Sequence, residues 1–205
     1  KDKYLFTLSG RVDGSSVFST AENQYAFFPS AAFAWRMDQE EFIQNMNLFS
    51  SLKLRTSYGI SGSQAIDALQ TLATYGGTNP AILNNTVNSV VRLNRPANPE
   101  LRWETTSQFD IGLEFGFFDD RLNFEVDYYY KKTEDLLLNL QIPSQTGFAT
   151  RLENVGSLQN QGIELMINST NVATEKFKWN TTVTISANRS EVLDLGDLDQ
   201  IFIEE

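Results

Sequence analysis

From Phe109 to Phe117 the chain alternates without a break. Phe109, Ile111, Leu113, Phe115 and Phe117 fall on one side, and Asp110, Gly112, Glu114 and Gly116 on the other. A side-chain period of two is that of an extended strand, whose successive Cβ atoms point to opposite faces. A second run follows, with Leu122, Phe124, Val126, Tyr128 and Tyr130 interleaved with Asn123, Glu125, Asp127 and Tyr129. The four residues Phe118-Asp119-Asp120-Arg121 between them carry turn-forming aspartates, so the pair predicts a hairpin. Each run is nine residues long, and a tilted strand needs about 9–11 residues to cross a bilayer.

The same alternation recurs at Tyr4, Phe6, Leu8, Gly10 and Val12, and at Tyr25, Phe27, Ala31, Phe33 and Trp35, with Pro29 inside the latter run. It returns at Leu52, Leu54, Tyr58 and Ile60, at Ile163, Leu165 and Ile167, and at Phe177, Trp179, Val183 and Ile185. The pattern predicts seven strands near residues 3–13, 24–37, 50–60, 104–117, 121–134, 159–169 and 176–189, with a short eighth near 147–154. Residues 38–47 read as a short amphipathic helical turn. The connection from Gly59 to Arg102 is the longest; it carries Gly76-Gly77, three prolines and an Asn-rich stretch, and is expected to lack regular structure. A second excursion runs from Lys131 to Gly156. Short and long connections are expected to alternate along the chain, as they do where strands cross a membrane back and forth.

Composition sharpens this. Hydrophobic residues are 41% of the 205, a modest share, yet aromatics are 12%. Barrels in membranes carry aromatic girdles at both interfaces, whereas soluble cores lean on Leu, Ile and Val. A soluble antiparallel sandwich also alternates, and a soluble carbohydrate-binding module of that kind stays open as an alternative, as does a passive porin-like barrel. Against the sandwich stand Asp110, Glu114, Glu125 and Asp127 on consecutive strands, the aromatics at strand ends (Phe115, Phe117, Tyr128, Tyr130) and the alternating connections. The expected fold is all-β: about seven or eight antiparallel strands of a transmembrane β-barrel, forming an open curved sheet with unpaired edges. No run of about 18 apolar residues is present, so no transmembrane helix is expected.

Charge excludes several classes. A formal net charge of −10 disfavours nucleic acid as a partner. The absence of His and Cys removes the usual ligands of structural zinc and haem and the bases of the familiar triads.

Particular words along the chain resemble those of SusC/RagA-type TonB-dependent outer-membrane transporters. They are Arg11-Val12-Asp13-Gly14-Ser15-Ser16; Phe27-Phe28-Pro29-Ser30 leading to Ala34-Trp35-Arg36; Leu52-Lys53-Leu54-Arg55 with Ser57-Tyr58-Gly59 and Ser61-Gly62-Ser63-Gln64; and Asn98-Pro99-Glu100-Leu101-Arg102-Trp103-Glu104. The run from Ile111 through Tyr130 into Asp135-Leu136-Leu137 is similar to that family, as are Asn154-Val155-Gly156 and Asn160-Gln161-Gly162-Ile163-Glu164-Leu165. The resemblance covers nearly the whole chain in order. It implies a large barrel in the outer membrane, plugged by an N-terminal domain and driven by TonB. It further implies a SusD-like surface lipoprotein as lid and import of oligosaccharides or peptides. Residues 1–205 then read as a partial barrel domain without the plug or the closing strand, and so as a piece of a longer protein.

Candidate chemistry is thin. Asp110, Glu114, Glu125, Asp127 and Glu164 are the expected lumen-facing residues and the candidates for substrate contact. Carboxylates on neighbouring strands lie at distances glycosidases use, but a mixed-charge lumen does the same without chemistry, and no Gly-x-Ser-x-Gly nucleophile motif is present. No enzyme activity, cofactor or metal is expected. Asp194, Asp197 and Asp199 are spaced like half a calcium loop, but the sixth position from Asp194 is Asp199 where a Gly is required. Tyr75 and Phe148, in expected outer loops, are the candidates for stacking on a sugar.

Overall fold

The computed structural model describes residues 2–83 and 85–196. Seven long strands make one antiparallel sheet. They are β1 (Tyr4–Gly14), β2 (Tyr25–Arg36), β3 (Ser51–Ser63), β6 (Glu104–Phe117), β7 (Leu122–Glu134), β10 (Ser157–Ala173) and β11 (Lys178–Asp194), in the spatial order β1-β2-β3-β6-β7-β10-β11. Two hairpins are inserted: β4 (Thr74–Leu83) with β5 (Thr86–Arg95), and β8 (Leu137–Gln141) with β9 (Thr150–Asn154). Among the described residues β1 and β11 are the edges, so the sheet is open, as its pattern predicts.

The register places every apolar run on one face. Tyr4, Phe33, Leu54, Leu113, Val126, Leu165 and Ile185 share it with their alternate neighbours. Among the described residues nothing covers this face: Phe6 is 75% exposed, Leu8 83%, Phe27 62% and Ile185 57%. Fully burying one such side chain is worth roughly 1.5–3 kcal/mol, so a sheet in water would forgo tens of kcal/mol. The accessible surface, 14,395 Å², is about half as large again as the roughly 9,700 Å² expected of a compact 23.2 kDa protein. A sandwich would have closed a second sheet over these residues.

Aromatics gather toward the strand ends on this face. At the tight-turn end Phe115 stacks on Phe124 at 5.0 Å, Phe49 lies 5.3 Å from Phe117, and Tyr4 stacks on Trp35 at 6.1 Å. Toward the other end stand Phe109, Tyr130, Tyr25 and Phe27. From Phe117 back to Phe109 is about 27 Å of strand, or about 20 Å of height at a tilt of 35–45°.

The loop end is tied by a small core. Phe18, Phe28, Leu101 and Trp103 are buried together, with Ile60 and Leu152 packed against them. Pairing between β2 and β3 stops at Ser30↔Gly59, beside Pro29, which has no N–H to continue a ladder. The cluster sits beyond that point, drawing on Phe28 of β2 and Ile60 of β3. The segment Asn98–Glu104 locks it. Leu101 is fully buried, Asn98 Nδ2 donates to Leu152 O at 2.7 Å, Arg102 ion-pairs with Asp135 at 2.7 Å, and Glu104 accepts from Leu137 N at 2.8 Å. Asn154 bonds Arg102 from both sides of its amide.

Four expectations need correction. The connection after β3 is not structureless, because it contains the β4–β5 hairpin. This hairpin pairs outside the seven-stranded sheet and shares no apolar face with it, β4 and β5 carry no clean alternation, and Pro80 disguises β4 further. The second excursion likewise holds β8 as well as the expected strand near 147–154, observed as β9. The alternation of short and long connections fails at the start. Ten residues (15–24) join β1 to β2, and fourteen (37–50) join β2 to β3. The fourteen include the expected helical segment, a 3-10 turn at Met37–Gln39 and helix α1 (Glu41–Gln44) with Ile43 buried. β10 and β11, at 17 residues each, also outrun their predicted lengths.

Glu40, in that connection, latches the tight-turn end. It accepts from Lys3 Nζ at 2.8 Å, from Tyr4 OH at 2.8 Å and from Trp35 Nε1 at 3.2 Å. The hydrogen bond and charge of Lys3, then the bonds from Tyr4 and Trp35, pull its pKa down to about 2 from an ordinary 4.5. A depressed carboxylate contributes stability that is complete above its unfolded pKa and lost as pH falls through the folded one. The latch is therefore expected to hold at pH 4 and open near pH 2. With 5-fluorotryptophan in place of tryptophan, the ¹⁹F signal of Trp35 should titrate near pH 2; a midpoint near 4.5 would mean that the latch is not formed.

Candidate functional site

The face opposite the aromatics is concave. A hollow of about 780 Å³ spans the sheet from β3 to β11, lined by Arg55, Asp110, Glu125, Asp127, Lys131, Glu164 and Asn188 among others. Strand alternation delivers these side chains: each apolar outward residue forces its neighbour inward.

Arg55 organises the floor. Its row across the ladder is Arg55↔Gly112↔Asp127↔Glu164. Gly112 leaves the gap over which the guanidinium reaches from β3 to β7. A Cβ at Gly112 would collide with the Asp127 carboxylate and lie 3.0 Å from the Arg55 guanidinium carbon. Arg55 Nη2 thereby meets both oxygens of Asp127, at 2.8 and 2.9 Å, and also pairs with Glu125. Arg55 Nε lies 2.9 Å from Glu114, an ion pair off the angle of a hydrogen bond. Lys53 adds a second cation to Glu114 at 3.2 Å. Glu114 and Glu125 face each other directly across the ladder, a like-charge pair that would repel without these cations.

The five expected residues therefore do not act alike. Glu114, Glu125 and Asp127 converge on one guanidinium. Asp110 stands apart, held by Ser57 Oγ at 3.2 Å and Gln108 Nε2 at 2.8 Å. Glu164 lines the same hollow, exposed, and has no ion pair among the described residues. Two carboxyls facing each other across a substrate gap, as glycoside hydrolysis needs, are not what this arrangement supplies: three of them turn inward onto Arg55. The residues that the sequence pattern did not single out are Lys53 and Arg55. Their signal was available, as two cations at alternate positions on a strand next to an acidic row.

At the loop end a second hollow, of about 490 Å³, lies between the β4–β5 and β8–β9 hairpins, with Phe148 in its wall. Tyr75, on β4, is 71% exposed and does not line it. Of the acidic trio near the end, Asp194 accepts from Gly196 N at 2.9 Å within its own turn, while Asp197 and Asp199 lie outside the described residues.

Replacing Gly112 by Ala leaves every charge in place but closes the gap beneath Arg55, whereas Arg55→Gln removes the charge itself. Both are expected to destabilise the intact protein by about 1–2 kcal/mol, between an exposed pair and a buried pair broken on one side. Urea unfolding in lipid vesicles measures this; an unchanged Gly112→Ala would show that the clamp does not depend on that gap.

Comparison with known proteins bears on what this two-faced sheet belongs to. A family model described as TonB dependent receptor-like, beta-barrel, matches residues 1–198. TonB-dependent receptor P26 of Formosa agariphila is 52% identical over 201 residues, covering 98% of this chain and 20% of that protein. TonB-dependent receptor SusC of Bacteroides thetaiotaomicron is 37% identical over 209 residues, covering 99% of this chain and 21% of SusC. Among solved structures, the RagAB peptide importer in its open-open state matches with a TM-score of 0.85 at 30% identity, over 98% of this chain and 21% of that one. The chain thus spans about one fifth of the length of the relatives it matches.

Proposed function

This chain belongs to the TonB-dependent receptors, in the SusC/RagA group, and we propose that it is a stretch of wall from an outer-membrane transporter that actively imports oligosaccharides or peptides. The observation that carries the proposal is the uncovered apolar face backed by a charged, concave one. Lipid suits the first and an aqueous lumen the second. In a bilayer the backbone must be fully paired, and strands meet that demand only within a closed barrel. The two edges, β1 and β11, are where further strands of such a wall would add. The tight turns at 118–121 and 174–177 then face the periplasm, and the hairpins β4–β5 and β8–β9 face outward, as longer loops do in such barrels.

In this reading the chain supplies no energy coupling of its own. A plug domain and a segment engaging TonB act elsewhere in the intact protein, and a SusD-like surface lipoprotein caps the outer end. The solved neighbour RagAB is a peptide importer, which keeps peptides beside oligosaccharides as cargo. The wall works as a scaffold: Arg55 and its carboxylates hold neighbouring strands in register while presenting a polar surface to whatever passes.

Uptake of fluorescent oligosaccharide and peptide pools by cells making the intact protein tests this. Import that collapses when TonB is deleted is expected. Import that persists without TonB would identify a passive pore instead, and none with either cargo would end the transporter reading.

A further inference from the structure

The hollow between the two outer hairpins differs in character from the rest of the chain. The chain as a whole carries 26 acidic and 16 basic residues, yet among the described residues this hollow is lined by Arg92 and Arg95 and by no carboxylate. Arg92 is exposed, and its side chain makes no ion pair or hydrogen bond among the described residues. Arg95 donates one N–H to Leu69 O at 2.5 Å, and its Nε is buried without a partner among the described residues. Phe148 forms an aromatic wall, half-buried, and Asn94, Asn139 and Thr150 supply neutral hydrogen-bonding groups.

We propose that this hollow is a binding subsite for an acidic oligosaccharide, with the arginines taking an oxyanion carried on the sugar and Phe148 taking the ring. Guanidinium matches the geometry of a carboxylate or sulfate and remains charged at any physiological pH. The face of an aromatic ring offers the apolar surface against which the C–H face of a pyranose lies, while the amides and the hydroxyl meet its hydroxyls. Such a mixture of one flat apolar wall and a few placed polar groups is the usual make-up of a small-ligand site. The neutral, polar floor suits a hydroxylated ring better than the varied side chains of a peptide. Both hairpins leave the sheet at the same end, since Ser63 pairs with Glu104 and Glu134 pairs with both Thr105 and Ser157. The subsite therefore lies where incoming cargo arrives, and its position outside the cell rests on the transporter reading above.

The test is calorimetric binding to the intact, detergent-solubilised protein. The probes are a tetragalacturonate, a sulfated galactan tetrasaccharide, a neutral xylotetraose and an acidic tetrapeptide, each against wild type, Arg92→Gln, Arg92→Lys and Phe148→Ala. At least one of the two acidic sugars should bind, and which one does separates carboxylate from sulfate. Arg92→Gln should weaken it about tenfold or more, Arg92→Lys should restore part of the loss, and Phe148→Ala should weaken both acidic and neutral sugars. Binding of neither acidic sugar, binding unaffected by Arg92→Gln, or preference for the acidic peptide would overturn the subsite. If cells making the same protein still show TonB-dependent uptake of neutral sugars or peptides, only the subsite falls; if they take up nothing, the transporter reading falls with it.

Discussion

One constraint shapes this chain: an apolar face with nothing in the sheet to cover it. A strand that alternates strictly must put half its side chains on each side, and here one half is Phe, Tyr, Trp, Leu, Ile and Val. In water that face would require a second layer. Left bare, it requires a solvent as apolar as itself. The register, the aromatic ends and the open edges follow from meeting that demand with strands alone. The ladder satisfies the backbone, alternation assigns lipid and lumen, and rings mark the two boundaries.

The polar face is what the lipid face leaves over, and its order comes from a few contacts. Gly112 is small so that Arg55 can cross a strand, and Arg55 in turn relieves three carboxylates that the register crowds together. The ends are closed differently. At the turn end Glu40 gathers Lys3, Tyr4 and Trp35 through hydrogen bonds. At the loop end a buried cluster around Trp103 and Leu101 gives the outer hairpins a fixed base. Residues Asn98 to Glu104, which carry much of the family resemblance, thus serve a physical purpose, because they dock one loop on another.

How much of this was legible depended on whether lipid was present to write it. β6 and β7 were readable to within a residue because each position between Phe109 and Tyr130 faces either lipid or lumen. The β4–β5 hairpin and β8 were not, since a strand with water on both sides needs no period. β10 and β11 were read short for the same reason, their ends extending past the apolar stretch. The five carboxylates could be placed on the inner face from alternation alone. Their unequal roles could not, because the pairing of Arg55 with Glu114, Glu125 and Asp127 depends on which strand lies next to which. β3 meets β6 only after a hairpin of unforeseen structure. Alternation also left the outer arginines, Arg92 and Arg95, unremarked among polar loop residues.

The division of the sheet into a lipid side and a water side is the claim on which the rest stands, and it can be measured directly. These 205 residues contain no cysteine, so in the intact protein, with any cysteine elsewhere replaced by serine, single spin-labelled cysteines can be walked from position 109 to 117 along β6 in lipid vesicles. Collision with dissolved oxygen should peak at 109, 111, 113, 115 and 117, and collision with a water-soluble nickel chelate at 110, 112, 114 and 116. Equal access of the nickel chelate to both sets, or the opposite phase, would contradict it.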